Sequence, residues 1–212
     1  MLPIVIKQTN QIRAIHTIIR NKETSREEFI FYADRLIRIL IEKTLELLPT
    51  EEKIVITPTG ESYLGCKPAS RICGVSIERS GGVMVHGLRQ VCRNARIGKI
   101  LIQRNEDTKL PIKIWRKYPE DIANRYVLLM DPMLATGGSA CCAIEDLTSI
   151  GVPEDRIIFA NLIAAPEGIA KVVREYPNVK IITTAIDDRL NTDAYILPGI
   201  GDFGDRYFGT SG

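Results

Sequence analysis

The sequence is poor in the residues on which most metal and nucleophile chemistry is built. It has two histidines, His16 and His86. Neither is bracketed by residues that suggest a catalytic triad. Its five cysteines, Cys66, Cys73, Cys92, Cys141 and Cys142, are odd in number and lack a Cys-x-x-Cys spacing. A disulfide framework and a thiolate metal site are therefore not expected, and no protein-built metal centre is assigned. No apolar run approaches the roughly 18 residues that would cross a bilayer. The N-terminus lacks the pattern of a secretory signal. A cytoplasmic chain with reduced thiols and no membrane partner is the expectation. The net charge of +2 shows no excess of either sign, so nucleic acid is not an expected partner. The basic residues around Arg89, Arg93 and Arg96 read as one wet helix face. Internal repeats and low-complexity segments are also missing.

What is present is apolar material, 45% of 212 residues, enough for one sizeable core. Residues 1–50 read as a helical arm. It begins with a short helix around Gln11 to Ile19. Thr24 and Ser25 each precede a glutamate by three residues, the spacing of a capping box. Phe29, Tyr32, Leu36, Leu40, Thr44 and Leu47 then recur at helical steps until Pro49. A hairpin or hood element is expected over 53–71. Strands are expected at Ile72–Ile77, Lys99–Gln103, Tyr126–Met130, Ile157–Ala164 and Val179–Thr184. Helices follow Gly81-Gly82 and Gly138 and span Glu167–Glu175. Alternating strands and helices indicate an α/β fold with a parallel sheet wound on both faces. Ligands in such sheets sit at the carboxyl ends of the strands. Asn105–Asn124 has mixed charge, two prolines and no clean period. It reads as a long connection of the kind that serves as a lid.

Tyr126–Ala140 organises the rest. Five apolar or aromatic residues form a buried strand, which Pro132 ends. Thr136, Gly137, Gly138 and Ser139 then lead into a helix. Converging backbone N–H groups, two hydroxyls and a helix N-terminus make a phosphate cradle, while Asp131 suits sugar hydroxyls or a metal. The plainer reading is a strand–turn–helix with a Ser/Thr cap. It is not a P-loop, because no lysine follows the glycines. Arg79-Ser80-Gly81-Gly82 ends another strand and offers a guanidinium for a diphosphate; otherwise it is an ordinary turn. In the tail, Gly199–Gly204 fits Gly-x-Gly-x-x-Gly and Asp202-Phe203-Gly204 spells a kinase magnesium motif. No helix of useful length can follow, and no acid lies about 20 residues on, so a dinucleotide site is not expected. Glycines beside Asp202 suit a tight loop whose backbone reads a flat heterocycle.

Asp131-Pro132-Met133-Leu134-Ala135-Thr136-Gly137-Gly138-Ser139 closely resembles the phosphoribosyl-pyrophosphate (PRPP) loop of uracil phosphoribosyltransferases. Pro198–Thr210 is similar to the uracil-binding segment of the same family, and the likeness runs from Gln8-Thr9-Asn10-Gln11 onward. The resemblance implies a type I phosphoribosyltransferase fold, one domain with a uracil-binding tail over 195–210, and UMP synthesis from uracil and PRPP. It implies PRPP contacts from Arg79, Arg104, Asp131 through Ser139, and Asp202. Uracil would meet Ile196, Gly201, Asp202 and Phe203, and Asp202 and Arg104 would be catalytic. Mg²⁺ would be held mainly by the PRPP diphosphate. Eukaryotic-type relatives suggest a homodimer or homotetramer and a GTP effector site at Arg26, Arg35, Ala69, Ser70, Arg71 and Ile72. Arg26 in the first turn of a helix opposes the dipole, which suits a visiting anion; pairing with Glu27 or Glu28 is the simpler alternative.

The chain departs from the family in several places, Asn105 for Asp and Arg71 for Lys among them. Gly82 and Val83 stand where relatives have Glu and Ser in Arg-Ala-Gly-Glu-Ser-Met. Trp115-Arg116 stands where they have Tyr-Glu. A catalytically weak regulatory homologue that binds PRPP or nucleotide is the alternative these departures feed. A purine-specific enzyme is disfavoured, since it would carry two acids before the loop and Met130 precedes Asp131 here.

Overall fold

The computed structural model describes residues 2–104 and 111–210, with the side chain of Arg104 outside the description. In chain order the strands are β1 (Ile4–Val5), β2 (Thr50–Ile56), β3 (Ser62–Pro68), β4 (Ile72–Glu78), β5 (Arg96–Arg104), β6 (Pro111–Lys117), β7 (Tyr126–Met130), β8 (Met133–Leu134), β9 (Ile157–Ala164), β10 (Lys180–Ile186), β11 (Arg189–Leu190) and β12 (Ile196–Leu197). The helices are α1 (Asn10–Arg20), α2 (Arg26–Leu45), α3 (Met84–Val91), α4 (Gly138–Ser149), α5 (Pro166–Glu175) and α6 (Phe203–Phe208).

The main sheet has the order β1-β10-β9-β7-β4-β5-β6, with β8 added beside β9. Every pairing is parallel except β5–β6. Central β7 is buried on both faces because its residues split by parity. Val127 and Leu129 join the cluster under α4 and α5; Leu128 and Met130 join the cluster under α1, α2 and α3. The chain runs outward from β4 to β5 and returns to the other side of β4 at β7. The sheet therefore reverses winding between β4 and β7, and a crevice opens at their carboxyl ends.

The first 50 residues do not project as an arm. Ser25 caps α2, its hydroxyl accepting from Glu28 N–H at 3.3 Å, and Glu27 and Glu28 complement the dipole. Phe29, Ala33, Leu36, Ile37, Leu40 and Ile41 face the core, so α2 is a full layer of the domain. The expected lid also needs correction. Residues 111–117 form β6, an antiparallel edge strand, and 105–110 lie outside the described residues. A register irregularity between Leu101 and Ile102 and an almost wholly exposed strand removed the alternation that would have marked it. Arg116 pairs at 2.7 Å with Asp146 of α4. Lys113 and Tyr118 reach the same carboxylate. Of the three clustered arginines only Arg89 lies on α3; Arg96 opens β5 and pairs with Asp121. The cysteines are free, and burial pushes the Cys73 and Cys141 thiols up to about 11 and about 12.

Candidate active site

The turn after β7 is fixed from below by backbone bonds to β9. Pro132 C=O accepts from Leu162 N–H and Ile163 N–H, and Leu134 C=O accepts from Ala165 N–H. Pro132 is consequently buried behind the loop and Leu134 is in the core. The loop presents backbone rather than these side chains. Gly137 sits at φ +78°, where a Cβ would lie 2.9 Å from the carbonyl of Gly168 on α5. Both its conformation and its contact demand glycine. Gly138 N–H points to Thr136 Oγ1 at 3.4 Å, leaving the Thr136 hydroxyl proton for an acceptor above the loop. Residues 133–140 enclose a pocket of about 70 Å³ at the N-terminus of twelve-residue α4. Its size and its ring of N–H and O–H donors fit a phosphate group.

This pocket opens into a larger cleft of about 320 Å³, with Asp131, Met133 and Ala135 in the shared wall. Asp131 keeps some surface open to the cleft, yet it is crowded by protein atoms. That desolvation pushes its carboxyl up to about 7, while a hydrogen bond from Met133 N–H pulls the other way. No described cation offsets the burial. Such a carboxyl awaits donors, and the paired hydroxyls of a ribose are suitable ones.

The opposite wall comes from the tail, which brings Ile196, Gly201, Asp202 and Phe203 to the same cleft. Asp202 is exposed and caps α6, its Oδ1 accepting from Asp205 N–H at 2.8 Å. The tail therefore does contain a helix, of six residues. Phe203 turns its ring away into the core, 5.5 Å from the ring of Phe29. Only its backbone is offered to a base. Arg206 holds this wall: it donates to the carbonyls of Ile19, Ile200 and Asn21 and lies 4.2 Å from the centroid of Phe29. Buried Asp187 takes Arg20 through both carboxylate oxygens at 2.7 Å and accepts from Gly199 N–H.

Arg79 is engaged elsewhere than expected. It pairs with Asp205 at 3.0 Å, donates to Thr210 Oγ1 and lies over the Phe208 ring. The Thr210 and Arg79 hydrogen bonds hold the Asp205 carboxyl below its usual range. Arg104 belongs to β5, but its side chain lies outside the described residues. The residues assigned to an effector are not in the cleft. Arg26 pairs with neither Glu27 nor Glu28; its Nε donates to Tyr207 C=O at 3.0 Å. Arg35 lies over the rings of Tyr32 and Phe31. Ala69 and Arg71 are exposed and Ser70 half-buried, whereas Ile72 is core and its carbonyl accepts from Arg125.

Sequence reading missed Asp193 and Ala194; the further lining of the cleft is Ser80, Asp193, Ala194 and Tyr195. The last three form the turn between β11 and β12. There the Asn191 side chain accepts from Asp193 N–H and Tyr195 N–H. Asn191-Thr192-Asp193 was a readable turn signal. Nothing local marked Asp187, whose partner Arg20 is 167 residues away.

Comparison with known proteins agrees with this geometry. A family model described as uracil phosphoribosyltransferase matches residues 5–210. A uracil phosphoribosyltransferase of Dictyostelium discoideum is 56% identical over 207 residues, covering 98% of this chain and 96% of that one. The solved structure of the AQ2163 protein from Aquifex aeolicus is 31% identical with a TM-score of 0.86, covering 98% and 99% of the two chains. Adenine phosphoribosyl transferase from Trypanosoma brucei, at 12% identity and a TM-score of 0.58 over 88% and 84%, shares the fold.

Proposed function

Since the chain belongs to the uracil phosphoribosyltransferase family, we infer that the cleft between the β7 loop and the tail makes UMP from uracil and PRPP. The protein is a pentosyltransferase: it moves the 5-phosphoribosyl group of PRPP to N1 of uracil and releases pyrophosphate. The observation that carries this reading is the phosphate-sized pocket at α4 opening into the larger cleft, with Asp131 in their common wall. The 5′-phosphate occupies the Thr136–Ser139 cradle, and the ribose hydroxyls donate to Asp131. Uracil lies against the backbone of Gly201–Phe203 beside Ile196. A peptide N–H and C=O match the edge of uracil, and the amino group of cytosine presents the wrong polarity to them.

In the transfer the C1–N1 bond forms as the C1–oxygen bond to pyrophosphate breaks. Positive charge builds on the ribose, and the Asp202 carboxylate stabilises it; we assign the N1 proton to the same group. Arg79 exchanges Asp205 for diphosphate oxygens, an inexpensive exchange because both partners are partly exposed. Arg104 is assigned to the diphosphate as well. Among the described residues no three His, Cys, Asp or Glu side chains gather to hold a metal. Mg²⁺ would be carried mainly by the PRPP diphosphate, and when bound it would neutralise leaving-group charge. A hood formed by β2 and β3, with large apolar side chains exposed along it, supports a homodimer. A GTP effector at Arg26, Arg35 and residues 69–72 belongs to the same reading. No described helix is long and apolar enough to cross a membrane.

Family membership does not favour the regulatory alternative. The test is UMP formation from labelled uracil, PRPP and Mg²⁺, with cytosine, hypoxanthine and adenine in parallel. Uracil alone is expected to turn over; equal or better use of a purine would sink the assignment.

A further inference from the structure

The tail wall of the cleft is gripped from behind by a charge pair that the transfer itself does not use. Asp187 follows β10, and its N–H donates to the carbonyl of Ala164, the last residue of β9, at 2.9 Å. Its backbone therefore belongs to the carboxyl edge of the sheet. Arg20 is the last residue of α1, whose Ile12, Ile15 and Ile19 lie in the core. The guanidinium meets the carboxylate through two bonds of 2.7 Å, and the two side chains are 23% and 5% exposed. Both partners then turn to one residue of the tail. Asp187 Oδ2 accepts from Gly199 N–H at 2.8 Å, and Arg20 Nη1 donates to Gly199 C=O at 3.0 Å. Each half of the pair thus takes one backbone group of Gly199. That residue sits at φ +62°, and a Cβ there would lie 2.1 Å from Ile196 C=O, so the chain folds back tightly on Ile196. Ile196 and Gly201, on either side of this fold, line the cleft, whereas Arg20 and Asp187 do not.

We propose that Arg20 and Asp187 are positioning residues for uracil: by fixing both backbone groups of Gly199, they set where the Ile196 and Gly201–Phe203 backbone meets the base. They act through the loop and touch neither substrate. Desolvating a carboxylate and a guanidinium is expensive, and an apolar pair of similar volume commonly gives equal stability. A buried pair is thus a poor source of stability but a good source of geometry. A planar guanidinium meets a carboxylate bidentately in one arrangement, which leaves an oxygen and an N–H edge in defined directions. Gly199 takes both. Apolar side chains would fill the same space without orienting a peptide. A base read by a peptide N–H and C=O needs that orientation, since a misplacement of about 1 Å can cost on the order of a hundredfold. The phosphate cradle hangs instead from β9 through backbone bonds to Pro132 and Leu134, which a change of either side chain leaves alone. This deepens the UMP reading and rests on it.

The test uses the full chain with Arg20→Met, Arg20→Lys and the apolar double variant Arg20→Met with Asp187→Leu. For each, KM for uracil, KM for PRPP, kcat, thermal midpoint and hydrogen exchange in residues 196–204 are measured. The double variant is expected to keep a midpoint within about 3 °C of wild type. Its uracil KM should rise about tenfold, with the PRPP KM within about threefold and kcat changed less than the uracil KM. Amides in 196–204 should exchange faster while those of β7 do not. Arg20→Met alone leaves a buried carboxylate unpaired, so it should also lower the midpoint. Arg20→Lys, which keeps the charge without the fork, should fall between wild type and Arg20→Met in uracil KM. A double variant with the uracil KM of wild type overturns the proposal. So does a rise shared equally by both substrates, the mark of a merely structural pair. If the double variant does not fold, Arg20→Lys decides, and a wild-type uracil KM there overturns the proposal. If wild type makes no UMP, the UMP reading fails instead. Exchange in 196–204 then still reports whether the pair holds the loop, and unchanged exchange in the variants would show that it does not.

Discussion

Asp131 is held against the preference of a carboxylate for water, and this makes binding sensitive to pH. Its pKa of about 7 lies above the ordinary carboxylate value, so the folded protein holds a proton there that the unfolded chain releases. The stability it contributes is present at low pH and is lost as pH rises through about 7. Ligand binding works the other way, because ribose hydroxyls need the ionised acceptor. PRPP affinity is therefore expected to rise with pH up to about 7 and level off above it. Calorimetry from pH 5.5 to 8.5 checks this. Asp131→Asn, measured in parallel, should bind weakly with a flatter profile, which separates Asp131 from the titration of PRPP itself. Asp202 allows a cleaner substitution. Its Oδ1 caps α6, and asparagine caps as well as aspartate. Asp202→Asn should thus keep the tail folded and remove only charge. A fall in kcat of about a hundredfold, roughly 2.7 kcal/mol, is expected with little change in PRPP affinity. A wild-type kcat would remove Asp202 from catalysis.

At the scale of elements, Arg206 is one anchor of the tail and Asp146 one anchor of the β5–β6 pair. Arg206 ties α6 to the end of α1 through carbonyls and stacks on Phe29 of α2. Burial alone lowers its pKa, so its charge is sustained by these carbonyls rather than by a carboxylate. Arg206→Met keeps the volume and leaves those carbonyls short of a donor. It should cost about 2–3 kcal/mol of stability and raise the uracil KM more than the PRPP KM. Denaturant titration and steady-state kinetics measure the two effects. Asp146 secures β6 to α4: desolvation raises its pKa, but the bonds from Arg116, Lys113 and Tyr118 outweigh it and the net shift is downward. Its side chain is 4% exposed, while those of Lys113 and Arg116 are 41% and 35% exposed. Asp146→Ala therefore frees two cations that can still reach water, and about 2 kcal/mol is a discounted figure for the loss. Hydrogen exchange should show faster opening in residues 111–118 than in β7. Uniform loss of protection would mean that the hairpin is not separately anchored.

The whole molecule leaves one element without support in the described chain. Ile54, Ile56, Tyr63 and Leu64 on the β2–β3 hairpin are each 59–68% exposed. A two-stranded hairpin is marginal alone, and such a patch marks an interface. Sedimentation is expected to show a dimer, and Ile54→Lys with Ile56→Lys to shift it to monomer with the sheet intact. Adding millimolar GTP in the same runs tests the effector site. A larger assembly with faster UMP synthesis is the expected response, and no change in mass or rate would remove GTP while leaving the catalytic reading in place.

The sequence by itself determined what is contiguous. Asp131–Ser139 forms a strand end, a glycine turn and a helix start in one stretch. The α2 stripe and its Ser25 cap, and the buried run of β7, likewise need only neighbours along the chain. Local chemistry sufficed because each group's partner lies within a few residues, so spacing and residue type fix the geometry. The tertiary structure alone decided the rest. Strand β6 was hidden by exposure and irregular register, so no period marked it. Arg20–Asp187, Lys113–Asp146, Arg79–Asp205 and the grip of Arg206 on the end of α1 join residues from 33 to 187 positions apart. A charge chooses its partner by distance in space, and that distance is set by the winding of the sheet, which no local pattern encodes.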